Sequence, residues 1–449
     1  MLRRFAISFL LVLVGTCAWG RTRPHYGGTL RVEVEGDPWN GTEGLTRRLV
    51  YDGLTKLGAD GAVRPTLAVE WKAEDENHRW QFRLRPRVHF HDGTLLTSAA
   101  VVASLNVSCS TNCPWTAVHA VGSLVVFTSD SPMPNLPALL AGDAFLIALV
   151  RTEVGPTPSG AIGTGPFQLV AFNNGILTLA ANDNYWQGRP FLDEIALTVH
   201  RSIREQWLDL SVGRADVVEV PSEVLREARQ QQLTVVTSPP VSLLALEIPD
   251  SGALANPALR KAIALAVDRG SLFNVIFQKQ GEITASLLPQ ALTGYSFLFP
   301  TDRDLNKSHE ARGGLAAPAL WLGVDGGGAM QLAAQRIALN LHEAGFNVQV
   351  TGTGSGQHAD MMLRKLPIGG GDAAAQMEAL LRGAGQSVPV TERAPAALFQ
   401  AEREFLNLNT LVPLLDLTRA YAIGGRVRDL QLRADGTPDL AGISLEGTP

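Results

Sequence analysis

Cysteine is scarce: three residues in 449, at positions 17, 109 and 113. The chain has no C-x-x-C and no H-E-x-x-H, so the usual zinc signatures are missing. A secreted hydrolase of the common kind would carry G-x-S-x-G, and none is present. No basic run occurs, and a formal net charge of −5 is small for this length, which excludes a nucleic-acid footprint. Beyond the first twenty residues no apolar run is long enough to span a bilayer. Internal repeats are also lacking. What is there is a chain with 45% hydrophobic residues, 44 glycines and 26 prolines, enough for two or three domains of turn-rich α/β structure.

The first segment has a clear chemistry. Met1–Arg4 supplies positive charge, Phe5–Cys17 an apolar run, and Ala18-Trp19-Gly20 small residues around a cleavage point. This predicts a secretory signal over residues 1–20 and a periplasmic location. Lipidation at Cys17 is the second option, against which stands the bulky Thr16 before it. Export leaves Cys109 and Cys113, spaced CSTNC, which in an oxidising compartment predicts a disulfide. A zinc site there would find only His119 nearby and remain a ligand short.

Periodicity then orders the mature chain. Leu30, Val32 and Val34 alternate with charged residues, as in a half-buried strand, and Trp80, Phe82 and Leu84 repeat the pattern. Asp60-Gly61 reads as a hairpin turn. Thr97 caps a helix starting at Ser98, and Asn256-Pro257 opens another. Between Cys109 and Gly163 the pattern predicts only loops and short helices. Strands are expected at 163–172, 176–182, 194–200, Ala319–Val324 and Phe346–Val350, and a helix at 329–344 closed by Gly345. The Gly/Ala-rich tract 352–385 predicts a loop or a weakly specified segment, and LVPLLDLTRAYAI one extended segment.

Chemistry is sparse. GVDGGGAM (Gly323–Met330) and GTGPF (Gly163–Phe167) are glycine-rich, but neither has the Lys-Ser/Thr of a P-loop. His89, His91 and Asp92 in VHFHDG offer three metal-ligand types in four residues, with both imidazoles on one face of a strand.

The series GGTLRVEV, YDGLTKLGADGAVRPTLAVEW, WQFRLRPRVHFHDGTLLTSAAVVASL, GTGPFQLVAF, NDNYWQGRPFLDEIAL, NPALRKAIALAVDR and AAQRIALNLHEAGFNVQV closely resembles the family 5 extracytoplasmic solute-binding proteins, the peptide and nickel receptors of ABC importers. The resemblance covers nearly the whole mature chain and is densest from Leu67 to Val102. It implies an α/β, two-lobed periplasmic-binding-protein fold, type II-like, with a subdomain inserted in lobe I. The implied division is lobe I at 21–50, 163–238 and 411–449, the insert at 51–162, and lobe II at 239–410. It further implies a monomeric binding protein without catalysis or cofactor, which takes a small molecule or short peptide between its lobes and meets a membrane permease after hinge closure. In such proteins Phe-His-Asp-Gly ends a strand and turns the chain. His91 and Asp92 are then scaffold, with Asp-Gly supplying turn chemistry.

Departures qualify the ligand. The insert is short. The stretch matching the peptide-anchoring part of lobe II, Asp360–Leu381, has no Trp, and Asp372 is its only acid near the expected place. LALEIPDSG puts Glu247 or Asp250 where the family has Asn. Candidate ligand contacts are Asp37, Trp39 and Asn40 in the turn after the first strand, with Glu247, Arg364 and Lys365 for a charged ligand end. A member that has lost its ligand and serves as a sensor or envelope interaction protein is the alternative.

Overall fold

Leu30 and Val32 go into the core as their alternation predicts, but the opposite face of that strand is covered as well. Thr29–Glu33 lies between Glu194–Thr198 and Val217–Glu219, parallel to both. The charged residues of a central strand therefore need partners. Arg31 and Arg426 both pair with buried Asp216, at 2.7 and 2.6 Å. Glu33 faces Arg201, which also holds Asp209. Burial, with the Asp209 charge beside it, pushes the Glu33 carboxyl up to about 7, against the pull of Arg201.

The computed structural model describes residues 24–36, 45–58, 62–109, 113–150, 161–295, 298–352, 358–368, 373–385 and 394–446. The expected signal segment, Cys17, Asp37, Trp39 and Asn40 lie outside them. The first lobe is a seven-stranded sheet in the order Thr234–Thr237, Ala420–Ile423, Val217–Glu219, Thr29–Glu33, Glu194–Thr198, Ile176–Ala181, Phe167–Asn173. The second is a six-stranded sheet ordered Glu282–Ile283, Leu411–Leu417, Ser242–Glu247, Met361–Pro367, Ala319–Val324, Asn347–Gly352. Helices Pro257–Ala266 and Ala329–Glu343 pack on one face of it, and Ala373–Gly383 and Pro395–Asn407 on the other. That is the layered α/β architecture of two lobes.

The insert has its own four-stranded sheet, ordered Ala68–Glu74, Arg79–Leu84, Leu124–Thr128, Ala117–Val121. Trp80, Phe82 and Leu84 are buried together, and Phe82 and Trp115 both meet Phe127 edge-on. Thr97 caps helix Ser98–Ser108, its Oγ1 accepting from the Ala100 N–H at 3.2 Å. Cys109 and Cys113 form the disulfide just past that helix.

Three expectations change. The region after Cys113 is not loops and short helices: Ala117–Val121 and Leu124–Thr128 form a hairpin about Gly122, whose φ of 56° suits the first turn position. The tract 352–385 contains strand Met361–Pro367, which sits inside the second sheet, and helix Ala373–Gly383. Leu411–Leu417, expected with lobe I, pairs with Ser242–Glu247 of the second sheet, and only Ala420–Ile423 joins the first. The apolar run is continuous in sequence because both halves are buried, each in a different sheet.

Candidate functional site

Two chain segments cross between the lobes side by side. One runs from Thr237 to Ser242, the other from Leu417 to Ala420. They are tied to each other: Ser238 N–H donates to the Arg419 carbonyl at 2.8 Å, Arg419 N–H to Ser238 Oγ at 2.9 Å, and Val241 N–H to the Leu417 carbonyl at 2.9 Å. This pair is a hinge of few residues. The carboxyl end of strand Val217–Glu219 in the first lobe, and Gly327 in the loop after strand Ala319–Val324 in the second, both reach the space between the lobes, the usual place for a ligand in open α/β sheets.

Beside the hinge a cavity of about 180 Å³ takes residues from both lobes, including Glu219, Glu223, Phe277, Met330, Lys365 and Arg419. Arg419 Nε lies 3.3 Å from Glu219 Oε1. Burial raises the Glu219 carboxyl above its usual range, Lys365 draws it down and Glu35 pushes it up. The glycine-rich segment before helix Ala329–Glu343 is explained here. Ala329 N–H donates to Glu223 Oε1 at 2.5 Å, so a first-lobe carboxylate caps a second-lobe helix. Gly328 has φ of 54°, a conformation that side chains rarely adopt, and a Cβ there would fall 2.2 Å from that carboxylate oxygen and displace it. The helix end that invited a phosphate is filled by the protein's own acid.

A second interlobe cavity of about 330 Å³ lies between the insert and the helix Ala373–Gly383, with Arg48, Asn135, Arg433, Asp435 and Ala375 on its walls. Arg48 Nε is 2.6 Å from Asp143. Burial opposes charge on Asp435. Hydrogen bonds from Thr437 Oγ1 and N–H, with the Arg48 and Arg433 charges, nevertheless hold its carboxyl below the ordinary range. The interlobe space thus offers fixed charges of both signs.

The expected contacts separate. Lys365 lines the hinge-side cavity. Arg364 points to the opposite face of its strand, where its Nε sits 2.5 Å from Glu247 as an ion pair. Glu219, Arg419, Arg48 and Arg433 were not singled out by the sequence. Their spacing carries no motif; only the chain crossing brings them together.

VHFHDG is scaffold by geometry. Gly163 N–H donates to His91 Nδ1 at 3.3 Å, which leaves Nε2 the protonated nitrogen, 3.0 Å from the Gly165 carbonyl. Both ring nitrogens are used to join the insert to the GTG segment. Asp92 Oδ1 accepts from the Thr94 N–H at 3.0 Å, and Gly93 has φ of 83°. His89 is exposed and bridges only backbone to Leu95. GTGPF is likewise a packing element: a Cβ at Gly163 would lie 2.0 Å from the Val50 carbonyl oxygen.

Comparison with known proteins agrees with this architecture. A family model described as "Bacterial extracellular solute-binding proteins, family 5 Middle" matches residues 62–387. The probable D,D-dipeptide-binding periplasmic protein DdpA of Escherichia coli K12 is 25% identical over 284 residues, 59% of this chain. That match spans little more than half of the relative, 55% of its length. Among solved structures, the oligopeptide-binding protein AppA of Bacillus subtilis in complex with a nonapeptide superposes with a TM-score of 0.76 at 18% identity, covering 95% of this chain and all of that one. NikA of Brucella suis in complex with Fe(III)-EDTA gives 0.82 at 19% identity, covering 93% of this chain and 100% of the other.

Proposed function

The chain belongs to the bacterial extracellular solute-binding proteins of family 5, and from that premise we propose that it is an extracytoplasmic receptor which captures a small solute between its lobes and delivers it to the permease of an ABC importer. The observation that carries the reading is the hinge. Two hydrogen-bonded crossing segments join lobes whose facing walls hold Glu219, Lys365 and Arg419 beside a cavity. A solute that contacts both walls favours the closed arrangement by the difference in its affinity for the two states. Closure then gives the permease a surface that the open form lacks.

The solute is peptide-like or another small polar molecule. A D,D-dipeptide-binding relative and a nonapeptide-bound structural neighbour support the peptide class. The paired charges suit a zwitterion: Glu219 for an amino group, and Lys365 or Arg419 for a carboxylate. Glu247 and Arg364, which do not line the hinge-side cavity, are left out of the proposed contacts. Asp37, Trp39 and Asn40 remain proposed contacts in the turn after the first strand. The protein acts as a monomer in the periplasm, exported by residues 1–20, and performs no chemistry on its ligand.

Small-angle scattering and thermal unfolding test this together. Mature protein is titrated with peptides of two to nine residues, opines, sugars and metal chelates. A ligand is expected to reduce the radius of gyration and to raise the melting temperature, because it binds only the folded, closed form. A ligand-independent radius and melting temperature across the whole panel would overturn the receptor reading.

A further inference from the structure

One short turn of the first lobe is gripped from the second. Ser222–Val224 and the start of Leu225–Gln230 face the segment Phe277–Gln280. Gln278 holds that turn with both ends of its amide: Oε1 accepts from the Arg226 N–H at 2.9 Å, and Nε2 donates to the Glu223 carbonyl at 3.0 Å. Gln280 is buried. Its Oε1 accepts from Ser222 Oγ at 2.8 Å, and its Nε2 donates to the Thr418 carbonyl of the crossing segment at 3.1 Å. Glu223 adds the carboxylate that accepts from the Ala329 N–H. All of these bonds join protein groups to one another, so none requires a solute.

The second-lobe segment carries strain at the point of contact. Gln278 and Lys279 are consecutive non-glycine residues in the left-handed region, with φ of 47° and 64°. They follow the π-helical turn Leu272–Ile276. That irregular backbone turns Gln278 and Gln280 both towards the first lobe. The contacts also differ in their distance from the pivot. Gln280 touches the crossing segment itself. Ala329 follows strand Ala319–Val324, which lies two strands along its sheet from Ser242–Glu247, about 10 Å at ~4.8 Å per strand. A rotation that parts the lobes about the crossing segments therefore stretches the Glu223–Ala329 bond most and the Gln280 bonds least. Ser222, Glu223, Phe277, Gln280 and Ala329 are also walls of the hinge-side cavity.

We propose that Glu223 and Gln278 form a latch between the lobes, which favours the closed arrangement before any solute arrives and assembles one wall of its cavity in advance. The inference rests on the receptor reading of the hinge and adds a regulator to it. A solute that binds the closed form has an apparent affinity reduced by the fraction of molecules that are closed, so the latch strengthens capture by enlarging that fraction. It consists of three hydrogen bonds. Each exchanges a bond to water for one to protein, so together they bias the equilibrium without completing it. The open form stays populated, and a solute still has lobes to draw together.

The test is made on the full mature chain with no solute added, by amide hydrogen exchange and small-angle scattering. Ala329 opens its helix, so its amide has no acceptor within the helix, and Glu223 supplies one. The Ala329 and Arg226 amides are expected to be protected in the parent and to exchange on the order of tenfold faster in E223A/Q278A. The double variant is expected to show a larger radius of gyration than the parent. Q278A alone, at a partly exposed side chain, is expected to lie between the two, which decides the matter should the double variant fold poorly. Exchange of the Ala329 amide at the unprotected rate in the parent would overturn the latch. Equal radii in parent and variants would do the same, since the contacts would then be part of a hinge that keeps them in both arrangements. Neither outcome touches the receptor reading, which is decided by whether a solute changes the radius.

Discussion

His91 shows how one side chain carries both a packing role and a pH dependence. Its two ring nitrogens bond the backbone at Gly163 and Gly165, and only the neutral ring can accept at Nδ1. Burial lowers its affinity for a proton below the ordinary value near 6.5, against smaller upward effects from the Gly165 carbonyl and from Asp92. The unfolded chain therefore binds the proton more readily than the folded one. The stabilisation is complete above about pH 6.5 and is lost as pH falls below it. His91→Ala is expected to cost about 2 kcal/mol at pH 8, roughly 1 kcal/mol per hydrogen bond, with the gap to the parent narrowing towards pH 5. Urea unfolding followed by tryptophan fluorescence measures it, since Trp80 and Trp115 belong to the insert's core and Trp186 packs against it. A gap that stays constant between pH 8 and pH 5 would sink the assignment.

At the scale of elements, helix Ala329–Glu343 depends on its neighbour. It has no acidic residue in its first turn and no side-chain cap from its N-cap residue Gly328; Glu223, from the first lobe, supplies the carboxylate. Around it Gln278 clasps the same first-lobe segment twice, accepting from the Arg226 N–H at 2.9 Å and donating to the Glu223 carbonyl at 3.0 Å. Glu223→Ala is expected to remove about 1 kcal/mol of helix-end stabilisation and to speed amide exchange at 329–332, leaving the insert unaffected. Exchange rates in that turn equal to the parent's would show that the cap contributes nothing. The same element marks how far the sequence could be read. Its periodicity and Gly345 were legible because they are local, as were Thr97, Asn256 and the strand alternations around Leu30 and Phe82. The glycine run before it was visible but not its cause, which lies about a hundred residues upstream in sequence. Strand Met361–Pro367 was hidden in a Gly/Ala-rich tract because it is short and the adjacent charges Arg364 and Lys365 obscure its alternation. Of the candidate site, Lys365 was legible and Glu219 and Arg419 were not, since only the lobe crossing gives them a common cavity.

The whole molecule is built from several cores rather than one. The first lobe has a cluster around Leu30, Leu179 and Ile195, the insert one around Phe82, Phe127 and Trp115, and the second lobe clusters on both faces of its sheet. Between the lobes the described contacts are polar and few: the crossing segments, the Glu223 cap and the bonds of Gln278 and Gln280. Cooperativity within a core comes from burial of shared apolar surface, which these polar links do not supply. Unfolding of the free protein is therefore expected to proceed in more than one step, with a calorimetric enthalpy larger than the van't Hoff enthalpy. A solute held by both lobes couples them, because release of either lobe then loses its binding free energy. Adding it should bring the transitions together and move the enthalpy ratio towards one. Scanning calorimetry reads both cases, and an enthalpy ratio of one in the free protein would show that the hinge couples the lobes as tightly as a common core.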